Sequence, residues 1–550
     1  MDGITYFDCY ASIGKMGPKD ELTPWTKEAL LDEMLHCGIH AALVENSVAR
    51  EYDPAYGNQK LIGEIQNERR LFPAWVVLPH QTGEMPIGPE LVEQMLRHDV
   101  RAARIYPKGQ NFALDERTCG ELFSALEAER ILLSIDFGQA SPADIADMCT
   151  RHPDLPVLIT DISWANTRFL YPVMDQCPNI HVEFSTFQAN YAIERLGERY
   201  GFERLLFGTN ALSKSLGAAK SFIDYADIDD DARRKVAGEN LARLLRLPKL
   251  PGGYRPDARA QHSVPGRPVS PTAAFRAQKS SRILRRVKEG KPLDHITVID
   301  AHSHIVHDGG QGVGYIPMPQ GDAENMVARN RRMGIDAFMT SSWLGIWADC
   351  EDGNRIVRRA IEQYPNDVIG YATLNPNYLS EAEFARWLRV VYEEWGFKGM
   401  KPYHPRMRLS YNSPKYDQWY AYGDEHRLIC LLHSSGGGFL NEVRDIAKRY
   451  PNISFLLAHT GGDFQTARER LPIVREFDNV YLEITLTPVT YGVIEYMVNE
   501  VGAERVVFGT DAPMRDPIPQ FGWMCYSRCS DDELELMLGK NIERLLDRIR

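Results

Sequence analysis

Residues 505–512 read RVVFGTDA, and residues 204–211 of the same chain read RLLFGTNA. The apolar run and the FGT turn return 301 positions later, with Asp511 where the earlier copy has Asn210. Three further pairs keep nearly the same register. YGNQKLIGEIQNERRLFPAWVVLP (56–79) parallels DGNRIVRRAIEQYPNDVIGYATLNP (352–376), Gly57 facing Gly353. RILLSIDFG (130–138) parallels RLICLLHSSG (427–436), Asp136 facing His433, and VAGENLARLL (236–245) parallels MLGKNIERLL (537–546). Chance matches would not hold their spacing over a whole half, so the chain is an internal duplication.

Its 550 residues exceed one ordinary core and suit two large domains. With 44% hydrophobic and 25% charged residues it is globular in composition. A formal net charge of −12 sets the surface field against phosphate backbones and anionic membranes. The start, MDGITYFDCYAS, has no basic region followed by an apolar core, and no run approaches the roughly 18 apolar residues of a membrane span. The expectation is a cytoplasmic protein with a small-molecule substrate and neither a nucleic-acid nor a membrane partner. Nine cysteines with no CxxC pair read as reduced thiols without a role.

In the second half, eight short β-branched runs alternate with amphipathic stretches: ITVIDAH, IDAFMTSS, VIGYATLN, FKGMKPY, LICLLHS, ISFLLAHT, VYLEITL and RVVFGTDA. Strands this apolar are buried on both faces, as parallel strands under helices must be. Eight βα units in about 250 residues is the count of a (β/α)8 barrel. An open doubly wound sheet would want a GxGxxG turn after its first strand, which neither half has. The fold class is therefore α/β, two tandem (β/α)8 TIM-like barrels, with boundaries at 1–247, 248–295 and 296–550. The middle piece pairs a Pro/Gly/Arg-rich linker (248–271) with a basic helix over 275–290 that could dock on either half.

Polar residues at the C-terminal ends of barrel strands gather at one mouth. In the second half these are His302 and His304 on strand one, Lys401 and Tyr403 on strand four, then His433, His459, Glu483 and Asp511 on strands five to eight. Two residues apart on a strand, His302 and His304 point to one face and can grip one cation. With His433 and Asp511 they would form a shell of three nitrogens and one oxygen, leaving a position for a water whose pKa such an ion lowers to roughly 7. The carboxylate can carry the water's proton. His459 is then left beside the metal to polarise a carbonyl or shuttle a proton. Each residue alone has an ordinary explanation; the ordered set at successive strand ends is what coincidence does not supply.

IDAHSHI, AHTGG and FGTDAP resemble the first-strand, sixth-strand and eighth-strand motifs of the amidohydrolase superfamily, in its amidohydrolase-2 branch of metal-dependent hydrolases, lactonases and decarboxylases. The resemblance covers about 296–550, while 1–247 resembles the fold without its ligands. It implies that His302, His304, His433 and Asp511 bind one divalent metal ion, zinc (Zn) before manganese (Mn), and that His459 and Asp511 are catalytic. Lys401 reads as a substrate-carboxylate anchor or structural ion pair, with a carbamylated, metal-bridging lysine as the minority view. Tyr403, His404 and Arg406, in GMKPYHPRMR (399–408), and Glu483 are the other candidate substrate contacts.

At the matching positions the first copy has Tyr10 and Ser12 for the histidine pair, Asp136 for His433, Asp161 for His459 and Asn210 for Asp511. It reads as a barrel without a catalytic metal, whose task is architectural: packing against the active half, shaping its mouth, or standing in for a partner subunit, with a homo-oligomer also open. The expected activity is hydrolysis of an amide, ester or lactone in a small carboxylated substrate. Nonoxidative decarboxylation is the alternative, and a binding module with a relic site the third reading.

Overall fold

The computed structural model describes residues 3–16, 20–251, 281–312, 314, 316–433, 438–486 and 488–550. The chain divides into two compact units, Met1–Pro268 and Val269–Arg550. The linker 252–280, with the start of the expected basic helix, lies outside the described residues.

In the first unit eight parallel strands follow one another around the sheet in chain order: β1 (Phe7–Ile13), β2 (Ala41–Asn46), β3 (Leu71–Val76), β4 (Ala102–Ile105), β5 (Leu132–Asp136), β6 (Val157–Thr160), β7 (Ile180–Glu183) and β8 (Leu205–Leu206). The second unit repeats the pattern with β9 (Ile299–Ile305), β10 (Ala337–Ser342), β11 (Val368–Ala372), β12 (Gly399–Met400), β13 (Ile429–Leu432), β14 (Ser454–Leu457), β15 (Val480–Glu483) and β16 (Val506–Val507). All eight strands read from the second half are present, and helices fill the crossovers. Both units are (β/α)8 barrels, and the chain is a tandem duplication.

Closure is made in the same way twice. Bridges join Ala11 to Ala211 and Ser303 to Ala512, so the first strand of each barrel meets the chain beyond its eighth. A buried carboxylate pins each seam. Asp8 accepts from the backbone N–H groups of Tyr10 and Thr209 and from the Thr209 hydroxyl; Asp300 does the same with His302 and Thr510. Burial pushes both carboxyls up to about 7 against the lowering effect of these hydrogen bonds. Asn240 and Asn541 each tie the last helix region to two carbonyls around the eighth strand. Inside, Phe7, Leu43, Leu132 and Leu206 fill one barrel, and Ile299, Met339, Tyr371 and Leu431 the other.

The glycine shared at 57 and 353 has a packing reason. A Cβ on Gly57 would lie 2.1 Å from the Ala49 nitrogen, and one on Gly353 would lie 2.3 Å from the Gly345 Cα, so in both barrels the second crossover helix rides against the short helix before it. Gly63 shares a helix with Gly57, yet its Cβ would meet nothing within 4 Å. We expect Gly57→Ala to cost about 1–3 kcal/mol in urea unfolding through overpacking. Gly63→Ala should be neutral or gain a few tenths of a kcal/mol.

Helix Arg282–Lys288 belongs to the second unit. It packs on helix Pro517–Tyr526, and Ser281 both caps Leu284 and donates its hydroxyl to Asp531. Among the described residues no helix is long and apolar enough to cross a membrane.

Candidate metal centre and active site

β9 is buried along its whole length, and it delivers His302 and His304 to the inside of the second barrel. Each imidazole is held from behind. His302 Nδ1 lies 2.9 Å from Glu483 Oε2, and His304 Nδ1 lies 3.0 Å from the Ser341 hydroxyl at the end of β10. Glu483 accepts in addition from the backbone N–H of His459 and from the Thr485 N–H and hydroxyl, so it receives the His302 proton and leaves Nε2 with a lone pair. Both Nε2 atoms turn toward Asp511 Oδ1, at 3.5 Å from His302 and 3.1 Å from His304. Lys401, fully buried at the end of β12, places Nζ 3.3 Å from His302 Nε2.

Asp511 follows β16 with φ of 58°, in a left-handed turn fixed by its N–H on the His302 carbonyl. Four residues on, the buried Arg515 sets Nη2 3.1 Å from Asp511 Oδ2. One carboxylate oxygen is thus committed to the guanidinium and the other to the imidazoles. Burial alone would raise the Asp511 carboxyl, yet the Arg515 guanidinium opposes it and the group is held well below the carboxylate range.

His459 also adopts a left-handed backbone, with φ of 64°. Its Nδ1 faces the Thr485 carbonyl at 3.0 Å, which assigns the proton to Nδ1 and makes Nε2 an acceptor. That Nε2 lies 3.2 Å from His433 Nδ1, and the His433 ring stands edge-on to Tyr403 with centroids 5.2 Å apart. Burial lowers all four imidazoles, His459 to about 4 and His302 and His433 well below the ordinary value, so all are neutral, the form that binds metal.

Among the described residues, two overlapping groups of buried donors arise. His302, His304 and Asp511 offer atoms within 4.8 Å of one another, as do His302, His459 and Glu483. Neutral imidazole nitrogens with one carboxylate oxygen are the donor set of a divalent transition ion. The residues present fit such an ion. His433 is in neither group; its Nδ1 faces His459 Nε2. Glu483 was expected to touch substrate; it is fully buried with both oxygens taken by protein donors, and supports the imidazoles from behind. Arg406 lies over the Trp347 ring, 3.5 Å from guanidinium carbon to centroid. The His404 side chain lies outside the described residues.

Trp343, Trp347 and Arg515 were not picked out from sequence. Their signals are faint: two tryptophans four apart after β10, and an arginine four after the aspartate, within reach only because the turn brings it back.

The first barrel fills the same strand ends differently. Arg104, at the end of β4 where the second copy has Lys401, is buried with Nη1 3.7 Å from Glu45 and its guanidinium 4.9 Å over the Tyr10 ring. Asp136 accepts from the hydroxyls of Tyr10 and Thr160. Asp161 pairs with Lys214, the counterpart of Arg515, at 3.0 Å. Here the carboxylate stands after strand six and not after strand eight, and the cation four residues past the eighth-strand turn pairs with it. Among the described residues no group of metal-ligand type gathers in this barrel.

A (β/α)8 barrel whose mouth collects histidines and an aspartate from the ends of separate strands defines a class of enzyme scaffolds. The amidohydrolase family model matches residues 45–247 and again residues 299–548, and the chain belongs to that family. The first match begins beyond β1, the strand that carries Tyr10 and Ser12. No curated protein matches the chain. Among solved structures, one copy's length is similar to a dihydroxybenzoic acid decarboxylase from Polaromonas sp. JS666 with bound manganese and the inhibitor 2-nitroresorcinol (17% identity, 46% of this chain and 97% of that one, TM-score 0.36). It is similar too to a 5-carboxyvanillate decarboxylase from Novosphingobium aromaticivorans complexed with manganese (15%, 47% and 98%, 0.36). A third is an amidohydrolase II (17%, 46% and 100%, 0.38).

Proposed function

We propose that the C-terminal barrel is a metal-dependent hydrolase that opens an amide, ester or lactone in a small carboxylated substrate. The observation that carries this is the meeting of His302, His304 and Asp511 at one point, with His459 beside them. His302 Nε2, His304 Nε2 and Asp511 Oδ1 would hold one divalent ion, zinc or manganese. When bound, such an ion supplies Lewis acidity to a substrate carbonyl and lowers the pKa of water. Glu483 and Ser341 fix the two imidazoles by their far nitrogens, so little reorganisation is needed on loading. His459, neutral and with Nδ1–H fixed on a carbonyl, accepts a proton at Nε2, the nitrogen that His433 faces, and returns it to the leaving group, while Tyr403 packs against His433. Positioned proton transfer of this kind is worth roughly 10²–10⁴-fold.

One observation favours a second reading, nonoxidative decarboxylation. Arg515 on Asp511 Oδ2 drains basicity from that carboxylate, so in hydrolysis the water's proton falls to His459 alone, and decarboxylation does not ask for that transfer. A panel of N-acyl amino acids, lactones and hydroxybenzoates, offered to protein loaded with zinc or manganese, separates the two. We expect acid release that stops on chelation. Carbon dioxide release without new acid would transfer the assignment to the second reading, and protein that takes up no metal would sink both.

A further inference from the structure

The mouth of the C-terminal barrel has one wall that the chemistry above does not use. Helix Trp343–Trp347 leaves directly from β10, its start capped by Ser342. The Trp343 ring stands edge-on to His304, with centroids 5.4 Å apart, and stacks on Trp347 at 5.1 Å and 21°. The Arg406 guanidinium covers Trp347 at 3.5 Å. From an expected metal ligand outward, a row of aromatic planes therefore ends in a cation. Arg406 is carried by the short helix His404–Met407, which is anchored through buried Met407: its carbonyl accepts from Asn377 and its sulfur meets the Tyr416 hydroxyl.

Arg406 is exposed, and among the described residues its guanidinium has no hydrogen-bond or ion-pair partner. Stacking takes one face and leaves the N–H edge free, the edge that binds a carboxylate with two parallel hydrogen bonds. The same barrel end adds Lys401 and Arg515, while its carboxylates are already engaged, Asp511 by Arg515 and Glu483 by His302, His459 and Thr485. The charge calls for an anion.

We infer that Arg406, held flat by Trp347, is a subsite for a carboxylate that the substrate carries away from the bond under attack. This deepens the reading of the mouth as an active site and rests on it. Because the Trp343–Trp347 stack leans on His304, the anchor is positioned relative to the reacting centre by packed rings rather than by a free loop. Small carboxylates are thereby selected over their neutral amides.

The test is calorimetry with benzoate and its neutral isostere benzamide, using the full chain with and without zinc. We expect benzoate to bind, benzamide to fail, and benzoate affinity to persist in the chelated protein. Arg406→Ala should weaken it roughly 10–100-fold, the scale of a lost charge-assisted pair. Arg406→Lys should recover little of this, since it restores the charge without the fork. Benzoate binding that is absent from the native chain, unchanged in Arg406→Ala, or abolished by chelation would each overturn the subsite; the last would send the carboxylate to the metal instead. Metal content, read separately, reports on the proposed function, so the two can fail independently.

Discussion

His302→Ala is expected to yield protein that folds but holds no stoichiometric metal and has lost activity by roughly a thousandfold or more, because the ion's Lewis acidity is worth several kcal/mol at the transition state. His302 belongs to both buried donor groups, and its far nitrogen is fixed by Glu483. Elemental analysis after desalting, together with the substrate panel, checks the result. Retention of one equivalent of zinc or manganese by the variant would remove His302 from the ligand set.

The second large effect belongs to the other barrel. Arg104 and Glu45 are each 2% exposed and 3.7 Å apart, and two Arg104 nitrogens, Nε and Nη1, have no hydrogen-bond partner, so the pair holds the strand ends by charge more than by geometry. Arg104→Met leaves Glu45 buried with, among the described residues, the Tyr106 hydroxyl and the more distant Arg50 to answer it, which should cost about 3–5 kcal/mol in denaturant unfolding. Glu45→Gln added to Arg104→Met should return much of that loss. A single variant within 1 kcal/mol of the native chain would show that the pair does not carry the first barrel's interior.

Much of this was legible in the sequence, for an identifiable reason. Strands buried on both faces write themselves as short apolar runs, and a histidine or aspartate closing such a run has few places to point other than the mouth, as His302, His304, His459 and Asp511 do. Glu483 ends its strand in the same way, yet it turns to support the imidazoles; the side on which a strand-end carboxylate finds its donors depends on Thr485 and His302, which only the folded chain brings to it. Arg515 and the two tryptophans were silent because their meaning lies in crossings between elements, a turn that doubles back and a helix leaning on a strand. The glycine pair at 57 and 353 was visible as a repeat, but its cause, two helices too close for a methyl group, was not.

A cation at the end of the fourth strand is common to the two barrels, Arg104 in one and Lys401 in the other, and Lys401 sits 3.3 Å from His302 Nε2. A positive charge there is therefore no bar to a pair of imidazoles; what the first barrel lacks besides them is a carboxylate after its eighth strand, where Asn210 stands. Building a metal centre into it would need a carboxylate at 210 as well as histidines at 10 and 12, so the obvious pair of changes would fall short.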